Sequence, residues 1–314
     1  MAVSPTWVRR IALINIIANV AIVITGGAVR LTGSGLGCPS WPNCSPESFH
    51  ATAEMGIHGA IEWGNRLFGV VVGVIAGLGV LAALLRKPRR KSLLKLSVML
   101  FVGIPIQALI GMVTVVTGLN PWTVAGHFLA TIVVLVAAVA FWVRTGEPDG
   151  PARLIVPKPI RLGAWAIAAT AAATILAGTM VTGSGPHGGD PDTPRLKIDG
   201  HLITQLHADM VFLLIGLSVA TLLAMKAVKA PATAVRAMYW LLGVELAQGA
   251  IGYVQYFTNL PEILVGAHML GAALLWIAAL MVLFRTRVRD VAETPHAPVP
   301  DPRPATTPAE LSVG

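Results

Sequence analysis

Eight apolar runs, each long enough to cross about 30 Å of hydrocarbon, set the terms for this chain: residues 11–29, 58–85, 96–117, 123–143, 163–183, 201–225, 237–257 and 263–284. A bilayer offers no water to satisfy backbone N–H and C=O groups, so only helices or closed barrels span it. Runs of this length read as helices, and the expected fold is all-α and integral to the membrane. Composition agrees, with 55% hydrophobic and 12% charged residues where a soluble domain carries about 25% charge. The net charge of +8 would suggest nucleic acid in a soluble protein. Here the basic residues sit in short gaps between apolar runs, which makes them a topology signal instead.

Those gaps alternate in charge. Arg9 and Arg10, the RKPRRKSLLK segment, and the stretches Arg144 to Arg161, Lys226 to Arg236 and Arg285 to Arg289 are separated by gaps poor in charge. Lys and Arg collect on the cytoplasmic side, so both termini are expected there, with the chain in the cell membrane. A signal peptide is the competing reading of the first run; its length, and the charge alternation that its removal would upset, argue against it. Cys38 and Cys44, the two cysteines, then fall in an outer loop where disulfides persist. A loop staple and a redox-active pair both stay open. Residues 290–314 are rich in Pro and poor in large apolar side chains, as in a disordered tail, and His296 within it is read as inert.

The sequence also repeats itself. Thr32-Gly-Ser-Gly35 recurs as Thr182-Gly-Ser-Gly185 at an offset of 150; Gln107-Ala-Leu-Ile-Gly111 recurs as Gln248-Gly-Ala-Ile-Gly252 and His127 as His268 at an offset of 141. Four spans per half keep the halves in one orientation. The expected architecture is eight transmembrane helices as two parallel-repeat four-helix bundles, residues 1–145 and 146–289, related by an axis along the membrane normal. The offset shrinks across the first outer loop of each half, which makes the cysteine segment an addition to the first copy.

His127, His207 and His268 lie about five or six residues into their runs, roughly 7–10 Å below the outer surface at about 1.5 Å per residue. An isolated membrane histidine usually hydrogen-bonds a neighbouring helix. Three at one depth, two of them related by the repeat, point to function, because ionisable groups within a membrane are costly. Neutral imidazole suits haem iron, and an apolar bundle has room for the macrocycle. Zinc is the weaker alternative, since there is neither an H-E-x-x-H pair nor a cysteine at that depth. Shifting His207 back by 142 gives Asn65, so one repeat-related histidine is missing.

With these residues in view, the chain resembles haem A synthase, the family that oxidises haem O to haem A for cytochrome oxidase. The resemblance covers residues 7 to about 285 and rests on GGAVRLTGSGLGCPSWPNC, on Ile61-Glu62-Trp63-Gly64-Asn65-Arg66, and on His127 in AGHFLAT, His207 in QLHAD and His268 in GAHMLGA. It implies a haem b on His207 and His268, a substrate haem in the first half, a catalytic Glu62 and a cysteine pair that caps the substrate site. Implied partners are haem O synthase upstream and cytochrome c oxidase or its assembly factors downstream, beside membrane lipid; nucleic acid is excluded and self-association is left open. The family's usual Glu-x-x-His-Arg in the second span reads Glu-x-x-Asn-Arg here. The substrate iron is therefore expected on His127 with its other face open, which suits oxygen activation. His58 shares a helical face with Glu62 and Asn65 and could stand in as a ligand, but it lies roughly 10 Å nearer the outside.

Glu62 and Arg66 are four apart and can pair along the helix. A self-neutralised pair, and a proton-handling carboxylate with Arg66 or Arg30 on haem propionates, are both live readings. Glu245, deep in the seventh run, gains no role from the resemblance and is expected to be hydrogen-bonded. His50, His187 and His201, in or near outer loops, are expected to be solvated. The GSG segments follow no strand and lack GK[ST], so they read as helix exits rather than phosphate loops. Two rival functions fit the same fold: a two-haem electron-transfer protein resembling a cytochrome b, which has no use for Glu62, and a transporter, for which the equal-depth histidines have none.

Overall fold

The computed structural model describes residues 3–291; the tail expectation for residues 292–314 and the reading of His296 lie outside the described residues. Eight long helices run in chain order: α1 Pro5–Leu31, α2 Gly56–Leu85, α3 Lys91–Val116, α4 Pro121–Thr145, α5 Lys158–Ser184, α6 Gly200–Ala227, α7 Ala232–Phe257 and α8 Glu262–Arg285. Each follows an apolar run and extends past it where polar residues reach the interface, as Lys91 and Lys95 do on α3. Prolines and caps set the starts. Ser4 precedes Pro5 and accepts the Trp7 N–H, Asn120 precedes Pro121 and accepts the Trp122 N–H, and Asp199 accepts the N–H groups of His201 and Leu202, each satisfying an orphan donor of a first turn.

Among the described residues, seven helices are long and apolar enough to cross a membrane; of the eight long helices α7 is the exception. Its 26 residues include Arg236, Glu245, Gln248 and Gln255. The fold is all-helical as expected; beside the helices, β1 Ala152–Leu154 pairs antiparallel with β2 Arg287–Arg289 as a short ribbon. These short strands follow α4 and α8 at the same face of the molecule, and at three residues each they are too short for their alternation to stand out in the sequence.

The helices pack in two closed circuits. α1 meets α2, α2 meets α3, α3 meets α4 and α4 returns to α1; α5, α6, α7 and α8 close in the same way. The circuits touch through α1 with α8, α4 with α8, and α4 with α5. Small residues are common in the packed interior: Ala164, Ala168 and Ala171 on α5 and Ala273 and Ala279 on α8 are buried, as expected where helices associate without a hydrophobic drive between them. The indole N–H of Trp276 on α8 donates to the Ile132 carbonyl on α4 at 2.9 Å, fully within the core.

Two turns repeat at the level of the backbone. Gly118 and Leu119 before α4 have φ of 61° and 55°, and Asn259 and Leu260 before α8 have φ of 61° and 59°. Left-handed leucines are strained, and the strain recurs at the 141-residue offset. The face that bears these turns also bears the residue 32–55 loop with its disulfide; the opposite face bears the described chain ends.

Candidate functional site

The three histidines stand at matching heights. His127, His207 and His268 come six, seven and six positions after Pro121, Gly200 and Glu262, the first residues of α4, α6 and α8. Each imidazole lies on a glycine of the neighbouring helix. A methyl at Gly111 would sit 3.5 Å from His127 Cε1, at Gly178 3.1 Å from His207 Cε1, and at Gly252 3.4 Å from His268 Cε1. The repeated Gln-to-Gly segment thus has a physical meaning. Its glycine leaves room for a ring, and its glutamine fastens the histidine-bearing helix: Gln248 Nε2 donates to the His268 carbonyl at 2.9 Å, while Gln107 donates to the Thr131 hydroxyl, which donates to the His127 carbonyl at 3.2 Å.

His207 and His268 face each other, with ring centroids 6.3 Å apart. His207 Nδ1–H donates to the Thr174 carbonyl at 3.0 Å, which fixes the tautomer and leaves Nε2 with its lone pair. Nδ1 of His268 is buried with no hydrogen-bond partner among the described residues. Two metal–imidazole bonds of about 2 Å each, plus the radius of each ring, account for a centroid separation of this size. The pair therefore fits an iron between two imidazoles, as haem provides.

In the first circuit only one of the two positions is an imidazole. Nδ1 of His127 is likewise buried without a partner among the described residues. Asn65 on α2 occupies the place that the repeat assigns to a second ring, and its Oδ1 accepts the Thr25 hydroxyl at 2.8 Å. The 150-residue offset that relates the GSG segments maps Gly178 to Ala28. Where the second half has a glycine beside the His207 ring, the first half has an alanine and no ring. His58 lies near the start of α2, exposed, and its Nδ1 hydrogen-bonds the Ser34 hydroxyl at 2.9 Å; the structure ties it to the turn after α1.

Glu62 is 4% exposed and both its oxygens are engaged. Oε2 accepts the Cys38 N–H at 2.7 Å and Oε1 pairs with Arg66 at 2.6 Å. Arg66 also donates to the carbonyls of Cys38, Ser40 and Asn43. The pair is therefore satisfied along the helix, as the spacing allows, and it also fastens the loop closed by the Cys38–Cys44 disulfide. Arg30 at the end of α1 donates to the carbonyls of Thr182 and His187, the former at 2.7 Å, and so joins the two circuits.

His187 departs from the solvated state expected of it: its Nε2 hydrogen-bonds the Leu260 carbonyl at 2.8 Å. His50 and His201 are exposed. Glu245 is 2% exposed; Oε1 accepts the Ser218 hydroxyl at 2.7 Å, and Oε2 has no partner among the described residues. Sequence reasoning did not single out Gly178, Thr174 or Thr25. The two glycines ending the repeated Gln segments were in view, and their spacing to the histidines was the signal that could have revealed their purpose.

A multi-pass helical membrane protein with imidazoles set at one depth on small-residue walls is the class that this geometry defines. The chain belongs to the family described as cytochrome oxidase assembly protein, whose sequence profile matches residues 9–187. Among curated proteins it is similar to the heme A synthase of Bacillus pumilus, 29% identical over 157 residues, which is 49% of this chain and half the length of that relative (50%). It is also similar to that of Bacillus cereus, 23% identical over 299 residues, 90% of this chain and 94% of that protein, and to that of Azorhizobium caulinodans, 26% identical over 330 residues, 88% and 91% respectively.

Proposed function

We propose that this chain is a haem A synthase, an oxidoreductase that converts the C8 methyl of haem O to a formyl group by successive hydroxylations. The observation that carries the reading is the facing His207 and His268 pair, 6.3 Å between centroids, with the single His127 at the same height in the other circuit. On this reading the pair holds a haem b and His127 holds the substrate haem, giving the two circuits, residues 1–145 and 146–289, different work within a parallel repeat. The paired left-handed turns support that repeat. The distribution of Lys and Arg supports eight spans with both termini cytoplasmic in the cell membrane, α7 being the span that trades apolarity for Glu245 and Gln248.

When bound, the haem irons with oxygen supply the oxidising chemistry; the chain supplies position, dryness and protons. Gly111 and Gln107 hold the His127 ring and its backbone. Asn65, held by Thr25, would offer a bound haem no strong ligand, and would so leave room for a small molecule; His58, bound to Ser34, serves the turn instead. Glu62 is the proton-handling carboxylate and, through Cys38 N–H, couples that site to the disulfide loop that caps it. Of the two arginines considered for propionates, Arg66 is engaged by loop carbonyls and Glu62 and Arg30 by the carbonyls of Thr182 and His187, so either would have to exchange backbone partners to meet a propionate. Haem O synthase as supplier, and cytochrome c oxidase or its assembly factors as recipient, follow from substrate and product.

The test is chromatography of haems extracted from cells that make haem O, with and without this protein. Haem A should appear only with it. Haem O unchanged in the presence of folded, haem-loaded protein would favour the electron-transfer reading.

A further inference from the structure

An open cleft of about 710 Å³ lies at the face of the described chain ends, between α3, α4 and α8 and against β2. Seven basic side chains and one carboxylate, Asp149, line it. Asp149 is already claimed: Arg90 binds it through two hydrogen bonds, and Arg144 and Ser92 each donate to it. Glu147 beside Arg144 is shared with Arg287 and Arg289 at 4.0 and 3.6 Å. With both carboxylates counted, the cleft keeps an excess of five positive charges. Lys91 and Lys95, exposed on the first turns of α3, make no salt bridge among the described residues. The remainder of the lining is apolar and continues onto the membrane-spanning surface through Leu96, Met99, Ala140 and Phe284.

We propose that this cleft is a binding site for an anionic phospholipid, its phosphate headgroup held by Lys91, Lys95 and Arg287 and an acyl chain lying over Met99 and Phe284. A free phosphate would use the basic rim and leave the apolar part bare. A zwitterionic lipid would use the apolar part and bring a cation to a site with cations in excess. An anionic lipid matches both, at the face where the spans expected for this chain meet the cytoplasmic leaflet and where basic pockets between helices take acidic headgroups. The site also bridges α3 and α4 to α8, so a lipid in it would contact both circuits. The placement on the inner leaflet rests on the proposed orientation; the binding itself does not rest on the haem chemistry.

The experiment is native mass spectrometry of the full, delipidated protein titrated separately with phosphatidylglycerol, phosphatidylcholine and inorganic phosphate, repeated with the Lys91→Gln, Lys95→Gln double variant. Phosphatidylglycerol should bind wild type about tenfold more tightly than phosphatidylcholine, and the double variant should lose most of that preference, in line with the contribution of single basic residues near anionic headgroups. Both lysines are exposed and outside the histidine sites, so an unchanged elution profile and thermal unfolding in detergent serve as the folding control. Equal retention of the two lipids, an unchanged preference in the double variant, or inorganic phosphate binding as tightly as phosphatidylglycerol would each overturn the proposal.

Discussion

The glycines behind the histidines say most about how single residues make this site. Gly178 leaves His207 Cε1 only 3.1 Å from where a methyl would stand, so the ring and the small residue have to be chosen together. Gly178→Val should push His207 away from His268 and, like His207→Ala or His268→Ala, remove the six-coordinate low-spin haem signal that the proposed ligand pair would give; an unchanged optical spectrum in all three would dismiss the ligand pair. Glu62 poses a different question, because a carboxylate with both oxygens engaged can be anchor or proton carrier. Glu62→Gln keeps size and hydrogen bonding, and if the group handles protons, haem A formation per folded molecule should drop by an order of magnitude or more, within the roughly 10² to 10⁴ that acid–base groups contribute. A fall in folded yield with normal output per molecule would leave Glu62 as an anchor alone.

Among the elements, the disulfide loop shows how a segment without regular structure is held over a membrane helix. Cys38 and Cys44 close it covalently, while Glu62 and Arg66 bind its backbone from α2. With two independent restraints, Cys38→Ser should leave folded yield nearly intact, whereas Arg66→Gln, which strips donors from three carbonyls and leaves Glu62 buried without its partner, should lower it severalfold; fluorescence-detected chromatography in detergent compares the two. The disulfide could be expected from two cysteines in a segment read as outer, with its role as staple or redox pair left open. The loop's attachment to Glu62 could not, because the contact joins residues 24 apart by a backbone N–H that carries no sequence signature. The helices themselves were legible since a run of apolar residues has one solution in a bilayer. The β1–β2 ribbon was not, being three residues a side and paired across 137 positions from Ala152 to Arg289.

At the scale of the whole molecule, the face of the described chain ends is tied by Asp149. The Arg90 guanidinium above all, with Ser92 and Arg144, holds its carboxyl down from 3.8 to about 2. A depressed carboxylate stabilises the fold at pH values above its ordinary range, and that contribution is lost as pH falls from 3.8 through about 2. Asp149→Asn should therefore lower thermal stability at neutral pH, and the gap to wild type should close toward pH 2. A gap that stays constant with pH would mean that charge is not what Asp149 supplies. Its side chain is 37% exposed, so water screens the loss to well under the roughly 3–5 kcal/mol of breaking a fully buried pair. This ion network was invisible in the sequence as anything but a run of basic residues, whereas the repeat, the histidine depths and the missing histidine at Asn65 were all there to read. Position along a helix is encoded locally; which helices meet is not.

The division of labour between the circuits is the central claim, and purified protein supplied with haem O, oxygen and a reductant tests it most directly when wild type is compared with His127→Ala. Wild type should form haem A, and His127→Ala should form none while keeping the low-spin haem proposed for His207 and His268. Haem A formed by His127→Ala at the wild-type rate, or none formed by fully loaded wild type, would contradict the account.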